Sequence, residues 1–205
     1  MALQPERKIA YASRSALIGW LLFDWAAQPF FTLLTTFVYA PYFAGAVARD
    51  PVTGQALWGY ATAAAGLMIA LCSPVLGAIA DASGRRKPWI AAFGVVFVIA
   101  TAMLWFGKPG TPSTIPIVLV AFGFGMLAVE FATVFNNAMM PTLVPAERMG
   151  RLSGSGWAIG YVGGVLSLIV MLGFLVADPV TRKTLLGFTP WFGLDPAMRE
   201  GDRAA

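Results

Sequence analysis

The chain has 205 residues, of which 58% are hydrophobic and 12% charged, with a net charge of +4. About a quarter of the residues in a soluble domain are charged, so this composition excludes an ordinary soluble protein. The cations lie in loops and tails without a basic stripe interleaved with aromatic residues, which argues against a nucleic-acid partner. The chain has no histidine and one cysteine, Cys72, inside an apolar segment, so we expect no disulfide framework, no metal site and no cofactor.

Five apolar stretches are long enough to cross a bilayer, which takes about 20 residues. The sequence therefore predicts an all-α integral membrane protein with the lipid bilayer as its first partner. Residues 1–15 form a predicted cytoplasmic N-terminus, and residues 178–205 a tail on the other side. The predicted transmembrane helices cover residues 16–39, 57–80, 88–106, 115–139 and 155–177.

The distribution of lysine and arginine predicts the orientation, because cytoplasmic loops carry the excess of cations. On the predicted cytoplasmic side are Arg7, Lys8, Arg14, Arg85, Arg86, Lys87, Arg148 and Arg151. Only Arg49 and Lys108 precede the tail on the opposite side. The first apolar run is too long for a cleaved signal peptide, so we expect it to be retained as the first helix. We expect the protein to lie in a bacterial inner membrane. The tryptophans near predicted span ends, Trp20, Trp89 and Trp105, are interpreted as interface anchors.

The first predicted helix carries a polar stripe. At 100° per residue, its members fall within an arc of about 80°: Asp24, Gln28, Thr32, Thr35 and Tyr39. A carboxylate at membrane depth costs roughly 2.5–3.5 kcal/mol, so the stripe should face the bundle interior or a water-filled path. Either it lines a transport path, or Asp24 is a structural partner for another helix. Pro29 should kink or loosen the helix beside it.

The fourth predicted helix carries Glu130, with Thr133 and Asn137 within about 60° on the same face. A carboxyl group beside an apolar wall favours its neutral form and could take up and release a proton. Glu130 is therefore a candidate for proton coupling or, equally, an inert polar tie between helices. No intramembrane lysine or arginine is available to pair with Asp24 or Glu130, which favours neutral acids or a partner outside this chain.

Glycines are aligned along one side of the fifth predicted helix. Gly156, Gly160, Gly163 and Gly164 form a small-xxx-small ridge that lets two helices approach closely. The ridge predicts helix packing or, in a functional version, a sliding surface between the halves of a transporter.

The connection between the second and third predicted helices reads Gly77-x-x-x-Asp81-x-x-Gly84-Arg85-Arg86-Lys87. Gly84 suits a tight turn with positive φ, and three consecutive cations cannot enter hydrocarbon. The segment is either a plain cytoplasmic loop or, as its spacing favours, a conformational latch formed by Gly77, Asp81, Gly84, Arg85 and Arg86.

This loop resembles the signature loop between helices 2 and 3 of the major facilitator superfamily. The segments Phe23–Ala26, Pro74–Trp89, Phe135–Pro141 and Ser153–Tyr161 resemble its vacuole-effluxer-like branch, also called the unidentified major facilitator family. The resemblance implies about twelve helices in two pseudo-symmetric six-helix halves, with the substrate near the midplane. The five spans then belong to an incomplete N-terminal half, and the missing half or a second chain is an implied partner. Fungal members of the branch are linked to amino-acid export from the vacuole.

Together these features predict part of a secondary active transporter of a small solute, amino-acid-like and proton-coupled, that works by alternating access. Its candidate path residues are Asp24, Gln28, Thr32, Thr35, Glu130 and Asn137. The alternative is a truncated, non-transporting scaffold or regulatory subunit that pairs through the glycine ridge. An enzyme is not expected, since the membrane segments contain no nucleophile–base pair or set of metal ligands.

Overall fold

The computed structural model describes residues 12–205. Arg7 and Lys8, which the orientation prediction uses, lie outside the described residues. The α-helices are α1 Arg14–Pro29, α2 Tyr39–Tyr42, α3 Pro51–Ser83, α4 Lys87–Met103, α5 Ile115–Asn137, α6 Met140–Leu143, α7 Ala146–Val170 and α8 Glu200–Arg203. Within residues 12–205 the β-structure is a single bridge between Ala177 and Thr184, so the predicted all-α class is confirmed.

Five helical segments are long and apolar enough to span a membrane: Arg14–Val47, Pro51–Ala82, Lys87–Phe106, Pro112–Leu143 and Ala146–Leu175. All five begin before the stretch predicted from hydropathy, because the helices start in polar flanking residues. The second shows why, since Asp50 caps the first turn by accepting a hydrogen bond from Thr53 N at 2.9 Å. Pro51 occupies the first turn, where a missing N–H costs nothing. These capping signals, rather than the apolar run, set where the helix begins.

The first span is not a uniform α-helix. After Pro29 the backbone widens into a π-helix over Phe30–Phe37, in which Val38 N donates to Leu33 O at 2.8 Å. Pro29 has no N–H to donate, so the loosening expected there takes the form of a change in hydrogen-bond register. A second π-segment, Phe43–Val47, follows α2. The side chains after Pro29 are therefore rotated away from their positions on an ideal α-helix.

The helices pack in two groups around a shared core. In the first group α5 packs against α3 and α4, and in the second α1 packs against α7. An aromatic core joins them, in which Phe30 and Phe122 stack with centroids 6.0 Å apart and Trp58 packs on Phe122 at 4.0 Å. We call the end near the α3–α4 loop the basic end, and the end that carries residues 104–114 and 178–205 the tail end.

The core fills the tail-end half of the bundle, and the hydroxyl groups of its two buried tyrosines are hydrogen-bonded. Tyr39 OH donates to Leu104 O at 2.7 Å, and Tyr42 OH donates to Gly107 O at 2.6 Å. Both tyrosines are fully buried. Two phenolic groups thus hold the first span to the α4–α5 connection.

The tail after the fifth span folds back over this end of the bundle. Leu185 N donates to Leu172 O at 3.0 Å, and α8 contacts α2 and residues 104–106. Arg203 is only 5% exposed and donates from Nε and Nη2 to Trp105 O at 2.9 and 2.7 Å. Its guanidinium lies 4.2 Å from the centre of the Trp105 ring. The charged residue Arg203 therefore helps to hold the tail against the bundle.

Candidate functional site

A cavity of about 420 Å³ opens between α1, α5 and α7, in the half of the bundle nearer the basic end. Its lining combines carboxyl, amide and hydroxyl groups with aromatic rings. The lining residues are Trp20, Asp24, Ala27, Gln28, Phe31, Glu130, Thr133, Asn137, Ser153, Trp157, Gly160 and Tyr161.

The structure brings four of the six predicted path residues to this one cavity. Asp24 and Gln28 line it from α1, one helical turn apart, while Glu130 and Asn137 line it from α5. Thr133 contributes its side chain between the two α5 residues and donates its own hydroxyl hydrogen to Val129 O at 2.8 Å. Side chains distant in sequence thus converge on one space.

The other two predicted path residues lie elsewhere. Thr32 packs against α7 beside Gly164, and the Thr35 hydroxyl donates to Phe30 O at 3.3 Å. Tyr39, the last member of the predicted stripe, is buried in the tail-end core. Thr32 still lies on the same side as Gln28, since both side chains lie beside Gly164. Thr35 and Tyr39 leave the predicted polar arc, because the π-helix after Pro29 changes the angle between successive side chains.

The glycine ridge of α7 packs against α1 and shapes the cavity wall. A Cβ at Gly160 would lie 3.2 Å from Asp24 O, and one at Gly163 would lie 3.0 Å from Trp25 O. A Cβ at Gly156 would meet the Asp24 carboxyl group and the Trp20 ring. The ridge faces a helix of the same chain, and the absence of side chains there lets the α1 backbone approach.

Four aromatic lining residues were not among the predicted site residues, namely Trp20, Phe31, Trp157 and Tyr161. Trp157 and Tyr161 lie one turn apart on α7, with ring centres 5.9 Å apart. Their spacing of four residues, beside Gly160, is the signal that could have placed them on one face. Trp20 is only 3% exposed and donates from Nε1 to Asn136 O at 2.8 Å, so its interpretation as an interface anchor is wrong.

The cavity carries acidic groups without compensating cations. Its lining includes Asp24 and Glu130 and contains no lysine or arginine. The ion pairs within residues 12–205 are Arg199–Asp202 and Arg203–Glu200, both in the tail. The same described range contains no cluster of three or more histidine, cysteine or acidic residues that could hold a metal ion.

The predicted latch has a shorter turn than expected. Helix α3 continues to Ser83, so Asp81 lies in its last turn, not beyond its end, and is exposed. Gly84 ends the helix with φ of 62°, as its predicted turn requires. Arg86 Nε donates to Ala80 O at 3.1 Å and so caps the helix, while Arg85 is exposed to solvent. Gly77 lies one turn before Asp81 with open space around it.

Five membrane-length helices around a polar cavity define an integral membrane protein. The sequence profile of the Major Facilitator Superfamily matches residues 3–186, and the chain belongs to that superfamily. The predicted superfamily is thereby confirmed, and the family is one of transporters, not enzymes.

A curated relative, the uncharacterized MFS-type transporter YxiO of Bacillus subtilis (strain 168), is 31% identical over 191 residues. The match covers 86% of this chain and 44% of the relative, so the chain spans less than half of the length of that protein. No solved structure matches the chain.

Proposed function

We propose that this chain forms the N-terminal portion of a secondary active transporter whose solute passes through the cavity between α1, α5 and α7. The observation that carries the proposal is the convergence of Asp24, Gln28, Glu130 and Asn137 on one space. Placing an acid inside a membrane costs free energy, so such a residue indicates a function or a partner that requires it. In a two-half transporter, the open side of the cavity would face the second half.

Alternating access requires a site that opens to one side of the membrane at a time. The cavity lies toward the basic end, while buried aromatic side chains such as Tyr39, Tyr42 and Phe122 fill the tail-end half. This distribution supports one-sided access from the basic end in the present state. Transport would then require the aromatic core, or the second half of the transporter, to open the tail end.

Proton coupling is the proposed source of energy. Neither Asp24 nor Glu130 forms an ion pair with another described residue, so each can exist as a neutral acid and change charge during the cycle. The test is solute-driven proton flux in proteoliposomes, screened with amino acids, using Asp24→Asn and Glu130→Gln. We expect at least one variant to abolish flux while still inserting normally.

The matched control is Glu147→Gln, because Glu147 is an exposed acid in the first turn of α7 and does not line the cavity. Wild-type flux in both cavity variants would reject the path. Amino-acid-like substrates are proposed because of the resemblance to the vacuole-effluxer-like branch, and flux with other solutes alone would reject that assignment.

The charged loop at the basic end is proposed as a latch. Asp81 and Arg85 are exposed and so are accessible to a helix end of another half, whereas Arg86 already caps α3. Asp81→Asn should then change the transport rate more than the thermal stability. Equal turnover of this variant and wild type would show that the loop is only a turn.

The proposed orientation places the basic end in the cytoplasm. Support comes from the cations among residues 12–177: the basic end carries Arg14, Arg85, Arg86, Lys87, Arg148 and Arg151, whereas the other end carries Arg49 and Lys108 before the tail. Labelling of Ala82→Cys and Lys108→Cys with an impermeant reagent tests it in a Cys72→Ala background, since both positions are exposed. Labelling of the residue 82 variant in intact cells would contradict the orientation.

The scaffold alternative gains no support from the glycine ridge, since α1 covers Gly156, Gly160, Gly163 and Gly164. A partner chain would have to use another surface. The implied second half or second chain therefore stays a proposal, to be tested by the mass of the purified assembly.

A further inference from the structure

The charge of the cavity limits what it can bind. Asp24 and Glu130 are its two acids, and Tyr161 is its only other titratable lining residue. No lysine or arginine lines it from α1, α5 or α7. A carboxylate or phosphate group placed here would meet like charge and no cation, and repulsion between like charges is stronger at membrane depth than in bulk water.

Aromatic rings form the α7 side of the same cavity. Trp157 and Tyr161 are 64% and 54% exposed, so these rings are accessible rather than buried in the core. The faces of tryptophan and tyrosine attract organic cations. Ala27 of α1 and Phe31 of the π-helix that follows it add apolar surface.

The remaining polar groups suit a hydrogen-bond donor. The amide oxygens of Gln28 and Asn137 and the hydroxyl oxygen of Thr133 can all accept hydrogen bonds. The Thr133 hydrogen is already donated to Val129 O, which leaves that oxygen as an acceptor for a ligand. An ammonium group offers donors and no acceptor, and so matches this set.

We infer that the cavity recognises an organic ammonium ion with an apolar body, held by the carboxylates of Asp24 and Glu130 and by the Trp157–Tyr161 rings. This inference rests on the proposed path through the cavity, and it narrows the amino-acid-like solute to its ammonium group, so that an amine without a carboxylate binds more tightly than an amino acid. When the ammonium binds to a protonated site, the O–H bond of one carboxylic acid breaks and its proton passes to solvent. The ammonium ion takes the place of the proton at that carboxylate, so the two compete for the same group.

The test compares three probes that differ in charge around one phenyl ring: phenethylamine, phenylalanine and hydrocinnamate. Calorimetry on the protein in lipid nanodiscs measures the affinity of each. We expect phenethylamine to bind most tightly, phenylalanine more weakly and hydrocinnamate at least about tenfold more weakly than phenethylamine. Phenethylamine should also bind more weakly at acidic pH and should release protons into the buffer.

Substitutions of the lining residues test whether phenethylamine binds in this cavity. Asp24→Asn or Glu130→Gln should weaken phenethylamine binding about ten- to a hundredfold, the loss expected for a hydrogen bond to a charged group. Glu147→Gln should bind as wild type does. Trp157 is exposed, so Trp157→Leu should leave folding intact and should weaken phenethylamine binding by about twofold or more.

Three results would overturn the inference: hydrocinnamate binding as tightly as phenethylamine, wild-type affinity in both acid variants, or binding of none of the probes. Uptake of phenethylamine into proteoliposomes separates this inference from the proposed function. Binding without uptake leaves the cation site standing and rejects transport. Uptake of anions without amine binding rejects the cation site and leaves transport standing.

Discussion

Gly164→Ala is the sharpest test of the contact between α1 and α7. A Cβ at this position would lie 2.9 Å from Gln28 Cγ and 3.3 Å from Thr32 Cβ, and would also meet the Thr32 hydroxyl. Cβ contacts under 3.0 Å are essentially never observed, so the side chains of Gln28 and Thr32 must change rotamer or α1 must move away. Overpacking of this kind costs typically about 1–3 kcal/mol. The added methyl group also raises helix propensity by about 1 kcal/mol, so the net loss is about 0–2 kcal/mol.

Gly154→Ala on the same helix is the matched control, because its Cβ would meet nothing within 4 Å. Both variants gain the propensity of alanine, so the difference between them isolates the packing cost of about 1–3 kcal/mol. The assay is loss of helical circular dichroism during titration with a denaturing detergent. Gly164→Ala should unfold at a lower detergent fraction than Gly154→Ala. Coincident transitions would refute the close α1–α7 approach.

Three further changes test the loop and the tail. Gly84→Ala puts a side chain at φ of 62° and should destabilise the protein by about 1–2 kcal/mol, whereas Gly77→Ala should not, as thermal melts in detergent will show. Arg203→Ala removes two hydrogen bonds to the bundle and should speed tryptic cleavage after Lys183; an unchanged rate would contradict the docked tail. The Asp178 carboxylate accepts hydrogen bonds from the backbone N–H groups of the following turn at 2.8 Å, which lowers its pKa. A lowered pKa contributes stability that is present above the ordinary pKa of about 4 and lost as the pH falls through the lowered value. The protection of that turn against hydrogen exchange, expressed relative to the intrinsic exchange rate at each pH, should therefore fall in acid in wild type and change little with pH in Asp178→Asn.

Local chemistry and hydropathy were enough to predict the membrane class, the five helices and the turn at Gly84. Apolar runs of this length have few alternatives to a transmembrane helix, and only glycine adopts positive φ without strain. The α1 and α5 members of the cavity were also predictable up to Pro29, because residues three and four apart share a helix face and a polar face cannot turn toward lipid.

The tertiary structure decided three features that helical periodicity in the sequence could not predict. The π-helix after Pro29 moves Thr35 and Tyr39 away from the cavity, and no count at 100° per residue anticipates a change of register. Trp157 and Tyr161 join the cavity only because α7 lies against α1. Arg203 resembles any charged residue of a polar tail, yet a carbonyl and a ring ninety-eight residues earlier bury it. Contacts between segments distant in sequence depend on how helices meet, and the hydrophobic pattern along a single helix does not specify that meeting.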